Sequence, residues 1–143
     1  MSDLDIAKST LYKKELTLTI VKNGKVLFET DSHRISGFLN AIQQFGATLE
    51  GASLADRVAG KAIALLSVYA KIKEVYAEVL SKKAKTVLEQ NSIHHEWKEL
   101  VNNVLDLNKT GVCPFEKAAA DITNPKDAYE AFKALQESLK ACK

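Results

Sequence analysis

The chain has 143 residues, of which 46% are hydrophobic and 27% are charged, and this balance predicts one globular domain spanning residues 1–143. A formal net charge of only +2 argues against nucleic-acid binding, which needs a concentrated basic face. We expect no membrane partner, because no apolar run is long enough to span a bilayer. Two cysteines without a secretory signal predict reduced thiols and a cytoplasmic protein.

The N-terminal third predicts a helix, a hairpin and a second helix, over residues 3–14, 16–30 and 35–44. Leu4, Ala7 and Leu11 lie at helical spacing and predict one apolar side for the first helix. Asn23-Gly24 between two alternating runs is the strongest short hairpin signal. Gly46 predicts the end of the second helix.

The longest nearly continuous apolar run is residues 51–70, which predicts a central buried helix. Ser53 followed three residues later by Asp56 is typical of a capping box at its start. Gly60 indicates a close neighbour, because glycine destabilises a helix interior. Lys61 is the charge deep inside the run, and two interpretations are open: a structural ion pair or a functional site.

The remaining sequence predicts two strands and three helices, over residues 75–80, 81–90, 93–97, 113–121 and from Asn124-Pro125 onward. Ser81 caps the first of these helices, and Asn124 caps the last, with Pro125 at the first helical position. Together the elements predict a three-layer α/β/α sandwich, in which helices cover both faces of a mixed sheet of four or five strands.

A second informative stretch is residues 110–120, where Gly111 precedes a turn and Pro114 fits the first position of a helix. Cys113 is then the N-cap residue and Glu116 the third helical residue. The positive end of a helix lowers the pKa of a thiol and attracts anions. Cys113 is therefore a nucleophile, a redox thiol, a ligand contact, or a small buried residue that caps the helix.

The histidines do not predict a metal site. His94 and His95 are neighbours on a predicted strand, so their side chains point to opposite faces of the sheet. A tetrahedral zinc site needs three or four ligands at workable spacing, and no segment supplies them. We therefore expect neither a metal nor another cofactor.

Three segments carry a family resemblance: GASLADRVAGKA, KEVYAEVLS and TGVCPFEKA. They resemble an uncharacterised prokaryotic family of unknown function whose fold is similar to that of cytidine deaminase. Zinc cytidine deaminases carry H-x-E or C-x-E at the start of the helix after the hairpin, and P-C-x-x-C opening the helix after the next strand. In this sequence the resemblance puts these motifs near residues 54–56 and 81–84, which hold no set of metal ligands.

The resemblance implies a pocket at the place of the deaminase site. One helix would supply Ser53, Asp56 and Lys61, and the second stretch would supply Thr110, Gly111, Cys113 and Glu116. In this interpretation Cys113 is the nucleophile and Asp56 an acid/base or orienting residue. The other five residues would bind the ligand.

Two functions of different kinds follow. The first is a zinc-free, deaminase-like domain that binds a small anionic ligand, a nucleotide or an ADP-ribose-like compound, at two helix N-termini. The alternative is a non-enzymatic interaction domain with a vestigial pocket, and in either case the resemblance implies a homo-oligomer. A thiol-transfer role for Cys113 is weaker, because no second cysteine lies nearby in the sequence.

Overall fold

A computed structural model describes residues 2–31, 35–102 and 114–141. The elements in chain order are α1 (Asp3–Lys13), β1 (Leu18–Lys22), β2 (Lys25–Thr30), α2 (Ser36–Phe45), a 3-10 turn (Gly46–Leu49), β3 (Ser53–Ala59), α3 (Lys61–Tyr69), β4 (Glu74–Ser81), α4 (Lys82–Gln90), β5 (His94–Val101), α5 (Pro114–Ala119) and α6 (Pro125–Ala141). Within those three ranges, no helix combines the length and the apolar character needed to cross a bilayer.

The strands form one mixed sheet in the order β2-β1-β3-β4-β5. β1 is antiparallel to both β2 and β3, whereas β3, β4 and β5 run parallel to one another. The hairpin brings β2 back antiparallel at one edge, and α3 and α4 provide the crossovers that parallel neighbours require. β3 is therefore the central strand, with Asp56 in register between Leu18 and Ala77.

Helices cover both faces of the sheet, so the predicted three-layer α/β architecture is confirmed. One face packs against α1 through Leu4, Ala7 and Leu11, and contacts between the hydroxyl groups of Tyr12 and Tyr76 at 2.7 Å add a polar link. The other face packs against α2, α3, α4, α5 and α6 around a core that includes the fully buried side chains of Phe38, Phe115 and Phe132.

Most local predictions are confirmed. Asn23 and Gly24 both have positive φ, as their hairpin turn requires, and Gly46 ends α2. Ser81 accepts a hydrogen bond from the backbone N–H of Ala84 and caps α4. Asn124 caps α6 by accepting from the N–H groups of Lys126 and Asp127.

The prediction of a single helix over residues 51–70 is wrong. Ser53–Ala59 is strand β3, and helix α3 begins only at Lys61, with Gly60 as its N-cap residue. A central strand buried on both faces has an almost continuous apolar sequence, which periodicity does not separate from a buried helix. Ser53 and Asp56 are consequently strand residues, and their spacing is not a capping box.

Candidate functional site

The first turn of α3 holds the lysine that the sequence singled out. The chain leaves β3 at Ala59 and turns into the helix at Gly60, which offers no side chain as a cap. Lys61 is thus the first helical residue rather than an interior one. It is half-buried, and its ammonium group donates to the carbonyl oxygen of Ala120 at 3.2 Å.

Glu116, from α5, supplies the missing cap. Its carboxylate oxygen Oε1 accepts the backbone N–H of Ala62 at 2.8 Å, at the positive end of the α3 dipole. Burial raises the pKa of Glu116, and the N–H groups of Ala62 and Lys61 and the ammonium groups of Lys83 and Lys61 oppose that rise. An anion from the chain itself therefore occupies the N-terminus of α3.

A cleft of about 340 Å³ opens beside this contact, between α3, α4 and the turn that follows α5. Its lining residues are Lys61, Leu65, Lys83, Thr86, Val87, Gln90, Asn91, Ala120 and Thr123. The two lysines come from different helices, and the remaining lining combines hydroxyl and amide groups with three apolar side chains. The arrangement offers ammonium and polar hydrogen-bonding groups to an anionic molecule.

Asp56 lies elsewhere, at the middle of β3. It is only 7% exposed, and strand alternation places it on the same face as Leu54, against the layer that contains α2 and α3. The N–H of Val58 donates to its carboxylate at 3.1 Å. No described lysine or arginine forms a salt bridge with it, and burial raises its pKa to about 7.

Ser53 is the first residue of the same strand, at its amino end. Its hydroxyl donates to the carboxylate of Glu74, at the amino end of β4. Because a strand rises about 3.3 Å per residue, Ser53 lies roughly 20 Å from the start of α3. Ser53 is therefore separated from Lys61 by the length of a strand, and Asp56 by about half of that length.

The structure brings together two of the predicted site residues, Lys61 and Glu116. Ser53 lies at the far end of β3, and Asp56 is not among the residues that line the cleft beside Lys61. Thr110, Gly111 and Cys113 lie outside the described residues. The sequence analysis did not identify Lys83 as a site residue. A usable signal was the helical spacing of Lys83, Val87 and Gln90, which places them on one side of α4.

A second cleft, of about 430 Å³, is lined by residues of α2, α3 and α6, including the stacked rings of Tyr69 and Tyr129. Their centroids are 4.5 Å apart. None of the predicted site residues lines this cleft. Of the described site residues that the sequence predicted, Lys61 lines the α3–α4 cleft, which is the smaller of these two.

Comparison with known proteins places the chain in a family. The model of a domain of unknown function, DUF1893 (TM1506), matches residues 6–137. The protein belongs to the DUF1893 family. No curated protein matches the sequence significantly.

Two solved structures resemble this DUF1893 domain. The crystal structure of a DUF1893 family protein (TM1506) from Thermotoga maritima superposes with a TM-score of 0.83 at 24% identity, over 94% of this chain and 90% of that chain. The dCMP deaminase of cyanophage S-TIM5 in its apo form gives a TM-score of 0.52 at 15% identity, over 68% of this chain and 98% of that chain. Both similarities show a shared fold. The second shows that this fold is similar to that of a dCMP deaminase.

The observed helices and strands change the positions at which the zinc motifs are expected in this DUF1893 domain. The helix after the hairpin is α2, which begins at Ser36, and the helix after the next strand is α3. The assignments of the motifs to residues 54–56 and 81–84 were therefore wrong. Residues 54–56 lie within β3, and residues 81–84 are at the start of α4 rather than α3. The opening of α3, residues 60–63, contains no cysteine, whereas the resemblance expects two there, three residues apart. In the described part of the chain, no group of three or more His, Cys, Asp or Glu side chains could hold a metal ion.

Proposed function

We propose that this protein binds a small phosphorylated ligand of nucleotide type in the cleft between α3 and α4, without zinc. The observation that carries the proposal is the convergence of Lys61 and Lys83, from two helices, on one cleft. Lysine binds phosphate as a mobile point charge. Thr86, Gln90 and Asn91 add hydroxyl and amide groups for the uncharged part of the ligand.

The charges of the cleft favour an anion. Among the described residues that line the cleft, Lys61 and Lys83 are charged and none is acidic, so positive charge is in excess. Glu116 already shows that the first turn of α3 accepts an anion, because its carboxylate bonds to the N–H of Ala62. A phosphate bound by the two lysines would lie beside the Glu116 carboxylate. Both anions would then interact with the ammonium groups of Lys61 and Lys83.

The size of the cleft narrows the ligand class. About 340 Å³ is near the lower end of small-molecule pockets, which span roughly 300–1,000 Å³. A mononucleotide suits this volume better than an ADP-ribose-like compound. The similarity in fold to a dCMP deaminase, a protein named for its action on a nucleoside monophosphate, supports the same class.

The proposal concerns binding and includes no reaction. Asp56 does not line the cleft, and Cys113 lies outside the described residues. The catalytic roles predicted for these two residues therefore stay predictions. Ligand binding through Lys61 and Lys83 requires neither of them.

Thermal unfolding with dCMP, AMP, ADP-ribose and inorganic phosphate tests the proposal. A ligand at 100 times its Kd stabilises the folded state by about 2.7 kcal/mol, which raises Tm by roughly 5–10 °C in a domain of this size. We expect such a rise with a mononucleotide, and its loss in both Lys61→Met and Lys83→Met. Lys25→Met, at an exposed position on β2, is the matched control.

Two outcomes would refute the proposed site. One is the absence of a Tm shift with every compound of the panel. The other is a shift of equal size in wild type, Lys61→Met and Lys83→Met, because the ligand would then bind away from the cleft. A rise with ADP-ribose but not with mononucleotides would retain the site and correct the ligand class.

A further inference from the structure

Among the described strands, β5 forms one edge of the sheet, and its surface is exposed. Among the described residues, it pairs only with β4, so the backbone N–H and C=O groups of its outer edge have no strand partner there. The side chains from His94 to Glu99 are exposed, except for the half-buried His95. Trp97, at the middle of the strand, is 39% exposed, which is unusual for a large aromatic side chain.

The charges of β5 are arranged symmetrically about Trp97. His95 and Glu99, two residues to either side, lie on the same face of the strand as Trp97. Glu96 and Lys98, its direct neighbours in the chain, lie on the opposite face. In an antiparallel pair, directly opposite residues share a face of the sheet. If β5 pairs with a second copy so that Trp97 lies opposite Trp97, Glu96 lies opposite Lys98, and His95 opposite Glu99.

Neighbouring registers lose this complementarity. Moving the second copy by one residue places Glu96 opposite Glu99 in one direction and His95 opposite Lys98 in the other. Moving it by two residues places either Glu96 opposite Glu96 or Lys98 opposite Lys98. Like charges directly opposite each other destabilise a strand pair, so the charges select the register centred on Trp97.

We propose that a second copy of this chain pairs antiparallel with β5 in this register, joining the two sheets into one. Charged side chains on an edge strand often prevent such pairing. Here they attract in one register, because the sequence is self-complementary about its centre. Two Trp97 rings meeting at the centre supply the buried aromatic contact on which stable interfaces commonly depend.

Contacts within one chain leave the pairing charges available. Glu96 lies 3.5 Å from Lys8 and 3.0 Å from His94, and all three side chains are substantially exposed. Lys98 forms no ion pair with any described residue. Formation of the dimer would thus add partners to exposed charges without breaking a buried contact.

Charge reversal provides a test that does not depend on the ligand. Wild type is expected to sediment as a dimer at micromolar concentration. Glu96→Lys and Lys98→Glu should each be monomeric, because each places like charges opposite one another. An equimolar mixture of these two variants should form a heterodimer, since every Lys then faces a Glu, and the double variant E96K/K98E should again form a homodimer.

Lys25→Glu, on the exposed part of the opposite edge strand β2, is the control and should remain dimeric. Circular dichroism confirms that each variant is folded. A monomeric wild type would overturn the proposal. So would an assembly that all single variants retain, or folded single variants that stay monomeric when mixed.

Discussion

Two carboxyl groups, those of Glu116 and Asp56, show how surroundings decide the behaviour of the same chemical group. Glu116 accepts the N–H of Ala62 at the start of α3 and lies among the ammonium groups of Lys61 and Lys83. Asp56 accepts N–H groups from its own strand, is buried, and has no salt bridge with a described cation. Burial raises the pKa of both groups.

The difference separates a half-buried acid that caps a helix from a buried one. Glu116 is half-buried at the edge of an open cleft, where its hydrogen bond caps a helix. Asp56 lies between Leu18 and Ala77 in the middle of the sheet, where burial opposes its negative charge. An acidic residue close to a helix in sequence therefore does not by itself identify a site.

The largest expected effect comes from Asp56. Its pKa rises from 3.8 to about 7 on folding, so the folded chain binds a proton that the unfolded chain releases. Stability should therefore fall as pH rises from about 4 to about 7, by about 4 kcal/mol. Asp56→Asn keeps an oxygen acceptor for Val58 and removes the charge, so urea unfolding across this pH range should show a much flatter dependence.

Glu50→Gln, at an exposed carboxylate, is the control and should keep the pH dependence of wild type. Equal slopes for Asp56→Asn and wild type would contradict the assignment of the proton to Asp56. Burial would then not distinguish Asp56 from Glu116, and the contrast between the two carboxyl groups would not hold.

A smaller effect is expected for the cap of α3. Glu116→Ala removes the acceptor of the Ala62 N–H and should lower the free energy of unfolding by about 1 kcal/mol. Glu116→Gln keeps an oxygen acceptor and should retain most of that stability, because burial disfavours the charge in any case. Chemical denaturation compares the two variants. If Gln destabilises as much as Ala, the charge rather than the hydrogen bond stabilises the helix.

The smallest effect concerns ligand affinity. Removal of the Glu116 charge beside Lys61 and Lys83 should strengthen binding of a mononucleotide by roughly two- to five-fold, the range of an exposed ion pair. Calorimetric titration of Glu116→Gln measures this gain. Asp56→Asn should leave the affinity unchanged, because Asp56 does not line the cleft. An equal gain in both variants would mean that the two carboxyl groups act on one site.

The sequence by itself determined the elements whose signals are local. Asn23-Gly24 sets the hairpin because both residues adopt positive φ. Ser81 and Asn124 begin α4 and α6 because their side chains reach backbone N–H groups only two or three residues away. These contacts form within a few residues, so their physical cause is present in the sequence, and the mixed α/β architecture follows from the order of the elements.

Tertiary structure alone decided the centre of the molecule and its cleft. Residues 53–59 form a strand because β1 and β4 pair with them on both sides, whereas their apolar sequence is equally compatible with a buried helix. The same extended strand separates Ser53 from Lys61 by the length of β3. Packing of α3 against α4 and α5 then brings Lys61, Lys83 and Glu116 together. Residues so distant in the chain carry no local signal of their contact, because only the packed helices place them side by side.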